Sequence, residues 1–107
     1  MDALATAASG MRSAQVRLAA SAHNVANLGT TSFRPLRVAQ SSLDTGGSTA
    51  QLQQGEGQQG EVGADSAGVD LTREVVEQIR AGVQFEASAR AFAVATEVRG
   101  RLFDIFA

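Results

Sequence analysis

The side chains of this chain that carry chemistry are few and scattered. His23 is the only histidine, and no serine or acid stands around it at a spacing that makes a triad or a metal site. It reads as a packed or surface helical residue. Cysteine is absent, which removes disulfides and thiolate ligands and suits a protein that crosses a redox boundary without oxidation. Glu74, Glu77 and Glu86 fall among arginines at helical spacing, so they read as the solvated side of a helix rather than as paired catalytic carboxylates. Gly55, Gly57 and Gly60 spell GxGxxG as a string. That fingerprint works only between a strand and a helix whose amides point at a pyrophosphate, and here it sits in a Gln/Gly tract between Glu56 and Glu61. No catalytic, cofactor or metal residue is nominated, and the expectation is a protein that is not an enzyme and takes no small-molecule substrate.

The elements that hold these residues are two helices. Leu4, Ala8, Met11, Gln15, Leu18, Ala22 and Val25 keep a four-three spacing, the pattern of a coiled-coil seam. Elsewhere this helix bears Ala, Ser and Thr besides Arg12 and Arg17, so it is small-faced all round and suited to close packing. Gly10 inside it costs about 1 kcal/mol relative to Ala, which points to a close helix contact or a weak point. Asn27, Leu28 and Gly29 supply its stop, Gly29 through the left-handed conformation. From Asp70 to Phe106 a second stripe runs through Val76, Ile79, Val83, Ala87, Ala91, Val94, Val98, Leu102 and Ile105, widened by Phe85, Phe92, Phe103 and Phe106. Asp70 is its N-cap. Arg73/Glu77, Glu86/Arg90 and Glu97/Arg101 are four-spaced opposite charges. A helix of that length is about 55 Å long, far more than the shorter first helix covers.

Residues 39–68 hold seven Gly and six Gln with only Leu43, Leu52 and Val62 as larger apolar side chains. Such a segment buries too little to offset its ordering entropy. The pattern therefore predicts an all-α fold: two long terminal helices in a coiled-coil-like hairpin, residues 1–29 and 70–107, joined by an extended arm and a Gly/Gln-rich flexible loop over 30–69. On this reading, deletion of residues 44–64 is tolerated. The chain's 107 residues bound it to one small domain, and a 44% hydrophobic content rich in Ala and lacking Trp and Tyr makes a poorly stabilised monomer. Nine Arg interleaved with eleven acids form no basic patch, which speaks against nucleic acid. The N-terminus has neither the basic start nor the apolar run of a signal peptide or membrane span.

Taken together, the two ends carry a resemblance. ALATAASGMRSAQVRLAASAHNVANLGTTSF, residues 3–33, resembles the opening signature of flagellar rod, hook and hook-associated proteins through Ser9, Gly10, Met11, Gln15, Asn24, Asn27, Thr30 and Phe33. Residues 69–105 look like the closing helix of the same family through Val69, Leu71, Glu74, Val76, Ile79, Ala81, Phe85, Glu86, Ala87 and Leu102. The chain departs from the pattern at Thr31, where Pro is common, at Ser32, where Gly is usual, at Ser88, where Asn is common, and at Gly82 and Val83. The resemblance implies a structural subunit of the bacterial flagellar basal-body rod, closest to a small proximal-rod protein, exported without a cleaved signal through the flagellar type III apparatus and assembled by its terminal helices into a tubular axis. Implied partners are copies of itself, other axial proteins and the export apparatus, with no nucleic acid and no membrane insertion. The residues expected to pack are Leu4, Met11, Leu18 and Val25 against Val76, Ile79, Val83, Phe85 and Phe92. The alternatives are a non-polymerising helical adaptor or regulator of export, and a divergent rod-protein copy.

Overall fold

The computed structural model describes residues 2–54 and 70–106. Its elements run α1 (Ala3–Ala26), β1 (Leu36–Ser42), β2 (Ser48–Gln54) and α2 (Leu71–Phe106). Helix α1 starts where Asp2 Oδ1 accepts the Ala5 amide at 2.8 Å. It stops at Asn27, whose amide turns back to the carbonyls of His23 and Asn24, both at 3.2 Å. Gly29 is not the left-handed residue; Ser32 is, at φ 61°. Helix α2 is capped as the sequence predicts, with Asp70 Oδ1 accepting from Thr72 and Arg73.

The all-α expectation is overturned. Seven residues of β1 pair antiparallel with seven of β2, from Leu36 opposite Gln54 to Ser42 opposite Ser48. The turn closes through Leu43 N to Gly47 O and Gly46 N to Leu43 O. Gly46 and Gly47 sit at φ 93° and 89°, the conformation only glycine adopts freely, so the Gly-Gly pair makes the hairpin possible. The second part of the arm, from Leu36, and part of the predicted loop are thus ordered strand. The two strands, LRVAQSS and STAQLQQ, are polar because they rest on polar partners in α1 rather than on an apolar core. The remainder of the predicted loop, with the GxGxxG string and Val62, lies outside the described residues.

Helices α1 and α2 run antiparallel, with Asn24 bonded to Glu74 at one end and Gly10 against Ser88 at the other. The side chains between them are small or polar. On α1 they are Ala7, Gly10, Ala14, Arg17, Ser21 and Asn24; on α2 they are Glu74, Glu77, Ala81, Gln84 and Ser88. Both sets follow the three-four spacing of a coiled coil, displaced by one residue on α1 from the heptad of Leu4, Met11, Leu18 and Val25. A Cβ added at Gly10 would lie 2.5 Å from Ser88 Oγ and 3.3 Å from Ser88 Cβ, so the helices approach closely there. Among the described residues, the buried apolar side chains are Ala7, Ala14, Ala20, Pro35 and Ala81.

The hairpin lies along α1 on the side next to this seam. The rise along α1 from Ser9 to Asn24 is roughly 22 Å, and seven residues of strand span about the same, which lets one hairpin reach both ends. The molecule is elongated, 67 × 23 × 14 Å.

Candidate functional site

Five polar contacts fix the hairpin to the helices. Asn24, buried on α1, presents its amide to the edge of β1 as a neighbouring strand would: Oδ1 accepts from Leu36 N at 2.7 Å and Nδ2 donates to Leu36 O at 2.9 Å. Nδ2 also donates to Glu74 Oε1 at 3.0 Å. Glu74 is 1% exposed, and its second donor is Arg37 of β1 at 3.0 Å. A buried carboxylate is tolerated because it is both paired and hydrogen-bonded. At the far end Ser48 N donates to Ser9 Oγ at 3.1 Å, and the hydroxyls of Ser13 and Ser48 lie 3.0 Å apart. Along the helix seam Arg17 donates to Gln84 Oε1 at 2.6 Å and to Glu77 Oε2 at 3.1 Å, while Gln84 donates to the Gly10 carbonyl.

The acids read from sequence as a solvated face are therefore split. Glu86 is exposed and held by Arg90 at 2.6 Å. Glu77 pairs with Arg17 rather than Arg73, and Glu74 is the most enclosed charge described. His23 is exposed and its ring packs against Phe33 with centroids 5.4 Å apart. No cluster of three His, Cys, Asp or Glu side chains able to hold a metal occurs among the described residues.

The motif residues fall at the two ends of the contact between α1 and the hairpin. Ser9 receives the hairpin tip, Gly10 admits Ser88, and Asn24 takes the start of β1. Asn27 Nδ2 donates to the His23 carbonyl and its Oδ1 accepts from Thr30, while Phe33 N donates to the Thr30 carbonyl. Met11 lies half-buried on the next face. Sequence reasoning missed Ser13, Arg17, Ser21, Leu36, Arg37, Ser48 and Gln84. The heptad of small residues at 3, 7, 10, 14, 21 and 24 was the available signal, hidden because larger side chains one position away drew the eye.

The large apolar residues point elsewhere. At about 100° per residue, Leu4, Met11, Leu18 and Val25 form a flank of α1 turned away from the hairpin, at nearly the levels of Phe92, Phe85, Gln78 and Leu71 on α2. Leu4, Met11, Val25 and Phe85 are half-buried; Leu18 is 46% exposed and Phe92 39%. Val76, Ile79 and Val83 lie on the outer side of α2, the last two 61% and 62% exposed. With Ala87, Val94, Val98 and Ile105 they continue a straight stripe along roughly 44 Å of helix. Because Gly10 faces Ser88, α1 begins near the level of Ala95, and the last turns of α2 project past it with Leu102, Phe103, Ile105 and Phe106 exposed. At the start of this projection a groove of about 670 Å³ opens, lined by Ala3, Leu4, Ala91, Val94, Ala95 and Val98, with charge from Asp2, Arg90 and Arg99.

Among the described residues no helix is long and apolar enough to cross a membrane. No protein-family model matches the chain, and no curated protein matches it.

Proposed function

We propose that the protein is a structural subunit of a bacterial flagellar basal-body rod, which leaves the cytoplasm through the type III export route and joins a tubular axis through its terminal helices. The observation that carries this reading is the inversion of its packing. Small and polar side chains fill the contact between α1 and α2, whereas Ile79, Val83, Val94, Val98, Leu102, Ile105 and Phe106 stand in solvent. A lone protein rarely exposes so continuous an apolar surface; a subunit with neighbours on several sides gains by it. The resemblance of both ends to axial proteins supplies the kind of neighbour. Copies of the same chain and other axial proteins would cover the stripe.

Val83→Asp tests it. In the free subunit the change is on an exposed surface and costs under about 0.5 kcal/mol; in a packed wall the carboxylate is desolvated without a partner, at a cost of several kcal/mol. In flagellated cells the variant is expected in the medium but not in isolated basal bodies. Thr31→Asp, in the turn after α1, serves as the control and is expected to be retained. Equal retention of both variants would remove the outer stripe from the assembly surface, and wild-type protein absent from basal bodies would overturn the rod assignment. A single fixed complex with one export component, seen by sedimentation, would favour the adaptor alternative.

A further inference from the structure

Both edges of the hairpin keep open backbone groups, and the edge of β2 carries no charge. Both backbone groups of Leu36 are held by Asn24, and Ser48 N is held by Ser9, so these two residues point their backbone groups out of the hairpin. By strand alternation Ala50, Leu52 and Gln54 do the same further along β2. No described residue outside the hairpin bonds them. Arg37 of β1 reaches Glu74 of α2, whereas β2 makes no close approach to α2.

We infer that this edge of β2 pairs with the same edge of a second copy of the chain, across a two-fold axis through Leu52. The three open residues are symmetric about that point: Leu52 meets its counterpart, and Ala50 of each copy meets Gln54 of the other. β2 contains no charge, proline or bulge, the usual devices that keep edges apart. An uncharged strand meets itself without repulsion. Gln51–Gln54 are exposed, and Leu52 is 56% exposed.

The helix beneath supports the same partner. Two strand spacings separate adjoining hairpins, so the two α1 helices come to about 10 Å apart, the distance at which helices pack. The hairpin's span from Ser9 to Asn24 puts Leu52 near the level of Ala19 and Ala22. On the side of α1 turned from α2, the residues at those levels are Ala19, Ala22 and Ala26, all exposed and small enough for the approach. The result is a four-stranded sheet over two central and two outer helices. This dimer is closed and leaves the outer stripe of α2 free, so it does not depend on the rod reading.

The chain has no cysteine, so Leu52→Cys introduces a single thiol at the axis. Opposed residues of an antiparallel pair lie about 5.5 Å apart at Cα, within disulfide range. Mild oxidation of the full-length variant is expected to give a covalent dimer, while Gln40→Cys, on the edge of β1, stays monomeric. In sedimentation equilibrium, Leu52→Lys is expected to raise the dissociation constant at least about tenfold, because an edge lysine is a gatekeeper against pairing, with unchanged far-ultraviolet circular dichroism. Cross-linking of Leu52→Cys no faster than Gln40→Cys, or a Leu52→Lys dissociation constant within about twofold of wild type, would overturn the inference, as would a wild-type monomer whose open edge recruits a different strand.

Discussion

Asn24→Ala is expected to be the most damaging truncation of a single uncharged side chain in the described fold. Asn24 makes three bonds: two to the backbone of Leu36, at 2.7 and 2.9 Å, and one to the buried carboxylate of Glu74, at 3.0 Å. Leu36 is half-buried, so its freed amide and carbonyl regain some water and cost about 1 kcal/mol together. Glu74 keeps only Arg37, and loss of a hydrogen bond to a buried charge costs about 1.5–3 kcal/mol. The total is about 2.5–4 kcal/mol, against about 5–15 kcal/mol for a protein of this size and toward the lower end of that range for a core of alanines. With a urea slope near 1.5 kcal/mol/M, the unfolding midpoint should fall by about 2 M. Asn24→Asp should be no better, since it keeps one acceptor, loses both donations and sets a second carboxylate beside Glu74. Asn27→Ala, which breaks only exposed bonds to His23 and Thr30, should cost under about 1 kcal/mol. Urea titrations followed at 222 nm, with amide exchange of Leu36, decide it. Equal midpoints for Asn24→Ala and Asn27→Ala, or an unchanged Leu36 amide, would refute the view that this cluster anchors the hairpin.

Ser32 holds φ 61°, so Ser32→Gly should stabilise the protein by about 0.5–1 kcal/mol and Ser32→Val destabilise it, both read as melting-temperature shifts. At Gly10, Ala gains about 1 kcal/mol of helix propensity and spends it on the contact with Ser88, leaving stability nearly unchanged; Gly10→Leu overpacks the crossing and should cost at least about 1–3 kcal/mol by chemical denaturation. Deletion of residues 44–64 removes β2 and the Ser48 contacts with Ser9 and Ser13, so the deletion variant should unfold at clearly lower urea than the parent. With so little large apolar area inside, helix content should melt at higher temperature as protein concentration rises, which circular dichroism over a hundredfold range of about 1–100 μM checks.

Both helices were legible because their apolar residues recur at helical period and because Asp70 and Asn27 supply ends. The hairpin was not, since its support is written in a different alphabet. Nothing in LRVAQSS or STAQLQQ alternates strongly enough to read as strand, and the residues that receive it, Ser9, Ser13 and Asn24, look like ordinary polar positions on a helix. The Gly46–Gly47 pair was the one local sign of a turn. Glu74 misled for a related reason: an acid among arginines reads as surface unless Asn24 and Arg37, fifty and thirty-seven positions upstream, are known to close over it.

The same limit explains the displaced seam on α1. Two heptads run along that helix, one of Ala, Gly and Ser beginning at Ala3 and one of Leu, Met and Val beginning at Leu4. Pattern reading favours the second because transfer free energy scales with side-chain area, about 25 cal/mol per Å². Packing within the chain favours the first, since small residues let the backbones approach and let Gln84 reach the Gly10 carbonyl across the crossing. Each choice is right for a different contact. The close seam costs little entropy, because Ala and Gly have almost no rotamers to lose, but it removes little apolar area from water. The Leu4, Met11, Leu18 and Val25 flank and the outer stripe of α2 keep the larger share of that area in reserve, so this chain's greatest gain in stability is expected on contact with neighbours.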